Sequence, residues 1–350
     1  MGDVDVEADQ PIADSSGSAL RIQPLFRNVG GHRPAIAIGG LEIEFRRVCD
    51  SALSLFDERR YHDGMDLMFR QLTALRNRAC ADEWRDLCRV GVRELPIASI
   101  IHEDPITRHS FRKPRGYPGD AGLLDLIYSS AEIPVECTDV GGKVWRYTVN
   151  APEAVAVRER RDLLARLIDQ VSDACESPRI LSIACGHVRE LNLSAAVRND
   201  RFTETGGGTF LGLDQDPMAV AEVQRALGRR GIRVVIGSVK SLLQKKLDGM
   251  GYHLIYAAGL YDYLSDALAG RLTARLFDML TPGGQLLVAN FAPGGFGTGY
   301  VETFMDWHLI YRDQEQLERL AAGIEPSRIR CKQLFSGENR HVAYMRLTRG

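Results

Sequence analysis

The sequence predicts an α/β protein: an open sheet of parallel strands preceded by a region of helices. Two observations carry this. Between Pro178 and Phe291, apolar runs of strand length alternate with helical stretches, the signature of parallel strands joined by crossover helices. Ahead of them, from Leu41, apolar residues recur at spacings of three, four and seven, the helical period, with no strand signal.

Residues 1–40 are polar or contain Gly and Pro, and are expected to form a flexible N-terminal segment. In LEIEFRRVCDSALSLFDERR, residues Leu41, Phe45, Val48, Ala52, Leu55 and Phe56 share one helical face. YHDGMDLMFRQLTALRNRA and DEWRDLCRVGVRELPIASIIH continue as amphipathic helices. FRKPRGYPGDAGLLDLIY, residues 111–128, then breaks the period with two prolines and three glycines before a short apolar helix. Residues 41–150 are therefore read as a helical N-terminal domain with a lid, and 151–350 as the α/β domain.

Pro152 to Cys175 reads as a helix with proline in its first turn. RILSIAC is a strand and RELNLSAAVRND a helix. TFLGLD is a strand, and PMAVAEVQRALGRRG a helix closed by Gly231. RVVIGS and YHLIYAAG are strands, and SDALAGRLTARLFDML is a helix. GGQLLVANF is a strand introduced by a Pro-Gly-Gly turn.

The balance of 44 basic and 46 acidic residues, net charge -2, argues against a general nucleic-acid surface, which needs a basic excess. The seven cysteines include no CxxC pair, so neither a disulfide framework nor a cysteine-based metal site is expected. No stretch approaches the roughly 18 apolar residues of a membrane span. The acidic N-terminus does not read as a signal peptide, and a reducing cytoplasm is the expected compartment.

An open parallel sheet binds ligands beyond the carboxyl ends of its strands. The residues there are Ala184-Cys185-Gly186-His187, Asp214-Gln215-Asp216, Gly237-Ser238-Val239, Ala258-Gly259-Leu260-Tyr261 and Asn290-Phe291. Asp214, 28 residues after Gly186, is placed to accept hydrogen bonds from a ribose; the alternative is that it caps the next helix, a role Asp216 fits better. Gly186 permits close backbone approach or merely a tight corner. Cys185 lacks an evident activating base and reads as a small buried residue rather than a nucleophile.

With FLGLDQDP and TPGGQLLVANF, these strand ends resemble the class I S-adenosylmethionine-dependent methyltransferases over Arg179 to Phe291. The resemblance implies a Rossmann-like seven-stranded sheet and S-adenosyl-L-methionine as cofactor. Ala184, Cys185, Gly186, Glu190, Asp214, Gln215, Ser238, Val239, Ala258 and Gly259 are then its cofactor-binding candidates. The chain departs from the family pattern at Ser182, where the family has an acid, and at Ala184 and Val188, where it has glycines. Ser238 stands where many members carry an adenine-contacting Asp. FRKPRGYPGDAGLLDLIY, LSIACGHVREL, YHLIYAAGLYDYLSD and ETFMDWHLIYR also resemble a bacterial subgroup described by 3-hydroxypalmitate methyl ester biosynthesis.

Within this frame RGYPGD is a lid whose Arg115 and Asp120 hold the cofactor's carboxylate and ammonium ends, with Tyr117 facing the sulfonium; a structural loop is the alternative. Tyr261, Asp262 and Asn290 are acceptor-side candidates, Asp262 as general base. FMDWHLIYR reads as an amphipathic packing helix or, alternatively, as a cap bringing Trp307, His308 and Tyr311 to the pocket. The first expected function is methyl transfer to oxygen or nitrogen of a small metabolite: a carboxylate, hydroxyl or amine. The second is ring closure of the cofactor itself to azetidine-2-carboxylate with release of methylthioadenosine. The third is a cofactor-binding regulator without catalysis. No metal is implied, and the N-terminal helices are a candidate dimer surface.

Overall fold

The computed structural model describes residues 39–132, 137–244 and 251–350; the segment expected to be flexible, 1–40, lies outside them except for its last two residues. The helical region comprises α1 (Gly40–Asp57), α2 (Tyr61–Arg78), α3 (Ala81–Glu94), α4 (Pro96–Ile101), α5 (Pro105–Arg112), α6 (Ala121–Tyr128) and α7 (Asp139–Thr148). On α1 the predicted stripe is the buried one, with Phe45, Ala52 and Phe56 in the core beside Cys49. Side chains start α5, α6 and α7: Asp104, Asp120 and Thr138 each accept from amides of the first turn.

The second part follows as α8 (Pro152–Ala174), β1 (Arg179–Ile183), α9 (Ala195–Arg198), β2 (Thr209–Asp214), α10 (Pro217–Leu227), β3 (Ile232–Ile236), α11 (Val239–Leu243), β4 (Tyr252–Ala257), α12 (Asp266–Asp278), β5 (Leu280–Phe291), α13 (Thr298–Phe304), α14 (Gln314–Arg319), β6 (Ile329–Ser336) and β7 (Val342–Arg349). The seven strands lie in the order β3-β2-β1-β4-β5-β7-β6. β1 to β5 are parallel, and β7 runs antiparallel between β5 and β6. The predicted α/β class with a Rossmann-like sheet holds, and strand order reverses between β1 and β4, where such sheets bind their ligands.

Alternate strand residues face opposite cores. Ile180, Phe210, Leu254 and Leu287 share a cluster with α8 and the N-terminal helices. Leu181, Leu213, Ile255 and Leu286 share the other with α12. Burial on both faces explains why the strands read as apolar runs and not as alternations.

The structure corrects four local expectations. Residues 189–200 form a 3₁₀ turn, Arg189–Asn192, and the four-residue α9. Asp169 of α8 halts a longer helix there by accepting from Ser194 Oγ and the Ala195 and Ala196 amides, at 2.5, 3.0 and 2.9 Å. The Pro-Gly-Gly turn lies inside β5, with Gly283 at φ +77°, and pairing with β4 slips in register alongside it. FMDWHLIYR is not a helix beyond Phe304: Asp306 turns to φ +47° and the chain runs on without helix. Finally, β6 and β7 carry no signal that the alternation of strands and helices reveals.

The helical region packs on the segment after β5. α13 lies against α2 so closely that a side chain at Gly299 would meet the Leu72 carbonyl carbon at 2.2 Å. Thr73 donates to the Phe296 carbonyl at 2.9 Å and accepts from the Gly299 amide at 3.0 Å. Arg76 pairs with the buried Glu302 at 3.2 Å. Among the described residues no helix is long and apolar enough to cross a membrane.

Candidate functional site

The turn after β1 has an unusual backbone. Ala184, Gly186 and Val188 sit at φ +51°, +53° and +45°. Alanine and valine therefore occupy the left-handed conformation that glycine adopts freely, at a cost of about 1–2 kcal/mol each. Ala184 and Val188 are the two positions where the sequence departs from the glycines of the methyltransferase pattern. The chain path is kept although the residue type is not.

Asp214 fastens this turn to the end of β2. Its Oδ2 accepts from the Gly186 amide at 2.7 Å and its Oδ1 from the Asp216 amide at 2.9 Å. Burial raises the Asp214 pKa, opposed by these amides and that of Gln215. Asp214 does not cap α10; Asp216 does, accepting from the Met218 amide at 2.9 Å. Burial pushes the Cys185 thiol well above its ordinary value, which disfavours the thiolate that a nucleophile needs.

The loop between α5 and α6 covers these strand ends. Arg115 is committed to Asp216 at 2.8 Å and reaches His187 Nε2 at 3.2 Å. Tyr117 lies in the field of Asp214, Asp216 and Asp120, and burial above all raises its hydroxyl. A side chain at Gly119 would strike the Tyr263 hydroxyl at 2.5 Å and Trp307 at 2.6 Å. Asp120 is fully buried. Its Oδ1 takes the Leu123 amide at 2.9 Å and His109 Nε2 at 2.7 Å, while its Oδ2 has no partner. Burial alone would raise the Asp120 pKa, but the His109 and Leu123 hydrogen bonds outweigh it and hold the group below its ordinary value. An ionised, buried oxygen without a donor is costly unless something supplies one.

At the ends of β4 and β5 the candidates divide. Asp262 is buried, its Oδ1 accepts from the Phe291 amide at 2.7 Å, and burial pushes its pKa up to about 6. Tyr263 accepts from Trp307 Nε1 at 2.8 Å, so the cap residue Trp307 does reach the site. Tyr261 and Asn290 do not take part. Tyr261 is in the opposite core with its hydroxyl 2.9 Å from Thr273 Oγ1. Asn290 donates to the Phe291 and Ile310 carbonyls and accepts from Arg312. Arg312, buried, also donates to the Tyr261 and Leu264 carbonyls and to Asp266, so Asn290 belongs to a structural hub.

Three further candidates are engaged locally. Glu190, just after the turn, takes the Tyr256 hydroxyl at 2.6 Å, and burial raises its pKa. Ser238 caps α11 in a reciprocal capping box with Ser241 and is followed by Val239 in the first turn. Ala258 and Gly259 are half-buried where β4 ends.

One residue of the site was not anticipated. Arg160 of α8 is 4% exposed, its guanidinium carbon lies 5.8 Å from the Phe291 ring centroid, and its Nη1 has no hydrogen-bond partner. The signal was present in the sequence: Val157, Leu164, Ile168 and Val171 form the buried stripe of α8, and Arg160 is the one charge set among them. A cavity of about 1070 Å³ lies elsewhere, between α2 and α7, and is lined by Arg59, Asp63, Lys143, Arg146 and Tyr147 among others. It is an open groove of solvated charges. Eight buried polar atoms among the described residues lack a partner, and two of them, Asp120 Oδ2 and Arg160 Nη1, lie by the carboxyl ends of the strands, where such sheets bind ligands; we place the site there.

No protein-family model and no curated protein matches the chain. Among solved structures, a possible exported protein from Bordetella parapertussis is 15% identical with a TM-score of 0.50, covering 86% of this chain and 96% of that one. A magnesium protoporphyrin IX methyltransferase from Synechocystis with bound SAH is 12% identical, covering 66% and 96% with a TM-score of 0.44. An N-methyltransferase from Bradyrhizobium japonicum in complex with S-adenosyl-l-homocysteine is 16% identical, covering 66% and 99% with a TM-score of 0.40. At these identities the likeness is one of fold.

Proposed function

We propose that this protein is an S-adenosylmethionine-dependent transferase that methylates oxygen or nitrogen of a small metabolite: a carboxylate, hydroxyl or amine. The observation that carries the reading is the turn after β1, held in a glycine-type path and tied by Asp214 to the end of β2. That arrangement presents a carboxylate at the switch point of the sheet, where a nucleoside fits. The likeness of segments such as LSIACGHVREL to the 3-hydroxypalmitate methyl ester subgroup supports placing the chain near that group.

The residues present suit such a cofactor. Each Asp214 oxygen keeps acceptor capacity beyond its one amide bond, enough for ribose hydroxyls. Asp120 Oδ2, buried and without a donor, suits an ammonium group. Tyr117, Tyr263 and Trp307 offer aromatic faces to a sulfonium. When bound, the cofactor supplies an electrophilic methyl group. The chain needs only to hold a nucleophile in line, keep water out and accept a proton. The lid excludes water through Gly119 against Tyr263 and Trp307, and the Asp262 carboxylate, with Oδ1 held by the Phe291 amide, receives the proton.

A second reading takes S-adenosylmethionine as sole substrate. Its amine nitrogen bonds to the γ-carbon, the carbon–sulfur bond breaks, methylthioadenosine leaves and the proton passes to the protein. The close fit of the lid over the strand ends favours it, since it limits room for a separate acceptor. One experiment addresses both. Calorimetric titration of S-adenosylmethionine is expected to show at least about tenfold weaker binding for Asp214→Ala than for wild type; equal affinity removes the ribose assignment. Methylthioadenosine formed without any acceptor selects ring closure. S-adenosylhomocysteine formed only on addition of a metabolite extract selects methyl transfer.

A further inference from the structure

The Arg160 guanidinium is buried at the ends of β4 and β5 with no carboxylate among the described residues within ion-pair distance. A charge this deeply buried costs several kcal/mol in lost hydration, and arginine cannot relieve it by losing its proton. The two nearby acids are otherwise engaged: Glu190 takes the Tyr256 hydroxyl and Asp262 the Phe291 amide. Contact with the Phe291 face offsets only part of the cost. The space beside the fork is open: a Cβ at residue 259 would lie 3.8 Å from Arg160 Nη2 and meet nothing else within 4 Å.

We infer that Arg160 binds the carboxylate of a small molecule at the carboxyl ends of β4 and β5. A planar fork of donors matches a carboxylate with two parallel hydrogen bonds. The site also holds a carboxylate oxygen without a partner, Asp120 Oδ2. Tyr263 packs against Gly119, the neighbour of Asp120 in the chain, and feels the charge of Arg160. A buried cation without a partner and a buried carboxylate oxygen without one complement an α-amino acid. Arg115, the arginine expected for this role, is spent on Asp216. The carboxylate has two sources, and naming them rests on the transferase reading: the methionine end of the cofactor, or the acceptor.

The test compares wild type, Arg160→Met and Arg160→Lys with three probes: S-adenosylmethionine, its decarboxylated analogue, which lacks only the carboxylate, and propionate. Affinities are read by calorimetry and propionate binding by the shift in melting temperature with S-adenosylhomocysteine present. If the cofactor is the source, wild type prefers S-adenosylmethionine to the analogue by about tenfold or more. The preference then vanishes in Arg160→Met and is partly kept in Arg160→Lys. If the acceptor is the source, the two adenosyl compounds bind alike, and propionate stabilises wild type but not Arg160→Met. Either result supports the inference. It is overturned if wild type shows neither preference nor propionate stabilisation, a result that needs no folded variant, or if the variants match wild type with all three probes. If wild type binds no adenosyl compound but propionate stabilises it through Arg160, the transferase reading falls and the carboxylate site stands.

Discussion

Asp262 as the proposed base rests on burial, which lifts its carboxyl from the ordinary range. Its pKa is pushed up to about 6, close enough to neutrality to accept a proton and still be ionised at pH 7. Turnover is therefore expected to rise with pH through about 6 in a pH–rate profile, and Asp262→Asn to lose that rise together with most activity. A profile flat from pH 5 to 8 in wild type would assign the proton elsewhere. At the same scale, Ala184 and Val188 keep the left-handed path of a glycine turn without being glycine. A motif read by residue type misses such a turn. The place of Asp214 at the end of β2 was legible because it is a matter of position; that Tyr261 faces the opposite core and Asn290 joins the Arg312 hub was not, because facing direction at a strand end depends on neighbours several elements away.

The lid between α5 and α6 acts as an element through one small residue. Gly119 leaves no room for a Cβ against Tyr263 and Trp307. Gly119→Ala is expected to push the loop off the strand ends, costing about 1–3 kcal/mol in thermal melts and weakening S-adenosylmethionine binding several-fold in titration. A variant with wild-type melting and affinity would show that the lid does not close on the ligand. The proline and glycine cluster announced an irregular loop, which is what joins α5 to α6. The helix expected over Trp307 is absent, because Asp306 reverses the chain and Trp307 turns to donate to Tyr263.

On the scale of the molecule, the helical region and the sheet meet at the site. Asp125 of α6 ties one to the other, accepting two hydrogen bonds from Arg189 at 2.7 Å each and one from His187 Nδ1 at 2.8 Å. Burial would raise its pKa, but Arg189 and His187 overcome this and hold it at about 2. A carboxyl depressed in the folded state stabilises above its unfolded pKa, and that contribution is lost as pH falls through the folded value. The tie should thus contribute roughly 2 kcal/mol at neutral pH and fade between about pH 4 and 2. Urea unfolding of Asp125→Asn should show lower stability than wild type at pH 7 and a smaller loss across that acid window. Equal curves would mean the tie contributes nothing.

The sequence by itself determined the α/β class, the run of helices ahead of the sheet and the strands β1 to β5 with their carboxyl ends, because period and strand-end position are local properties of a chain. Only the tertiary structure decided which side chains there are free to bind. Arg115 and Asn290 are consumed by partners far along the chain, whereas Arg160 and one oxygen of Asp120 are left without any. Whether a buried charge is already satisfied depends on distances between separate elements, and no spacing along a single chain records them.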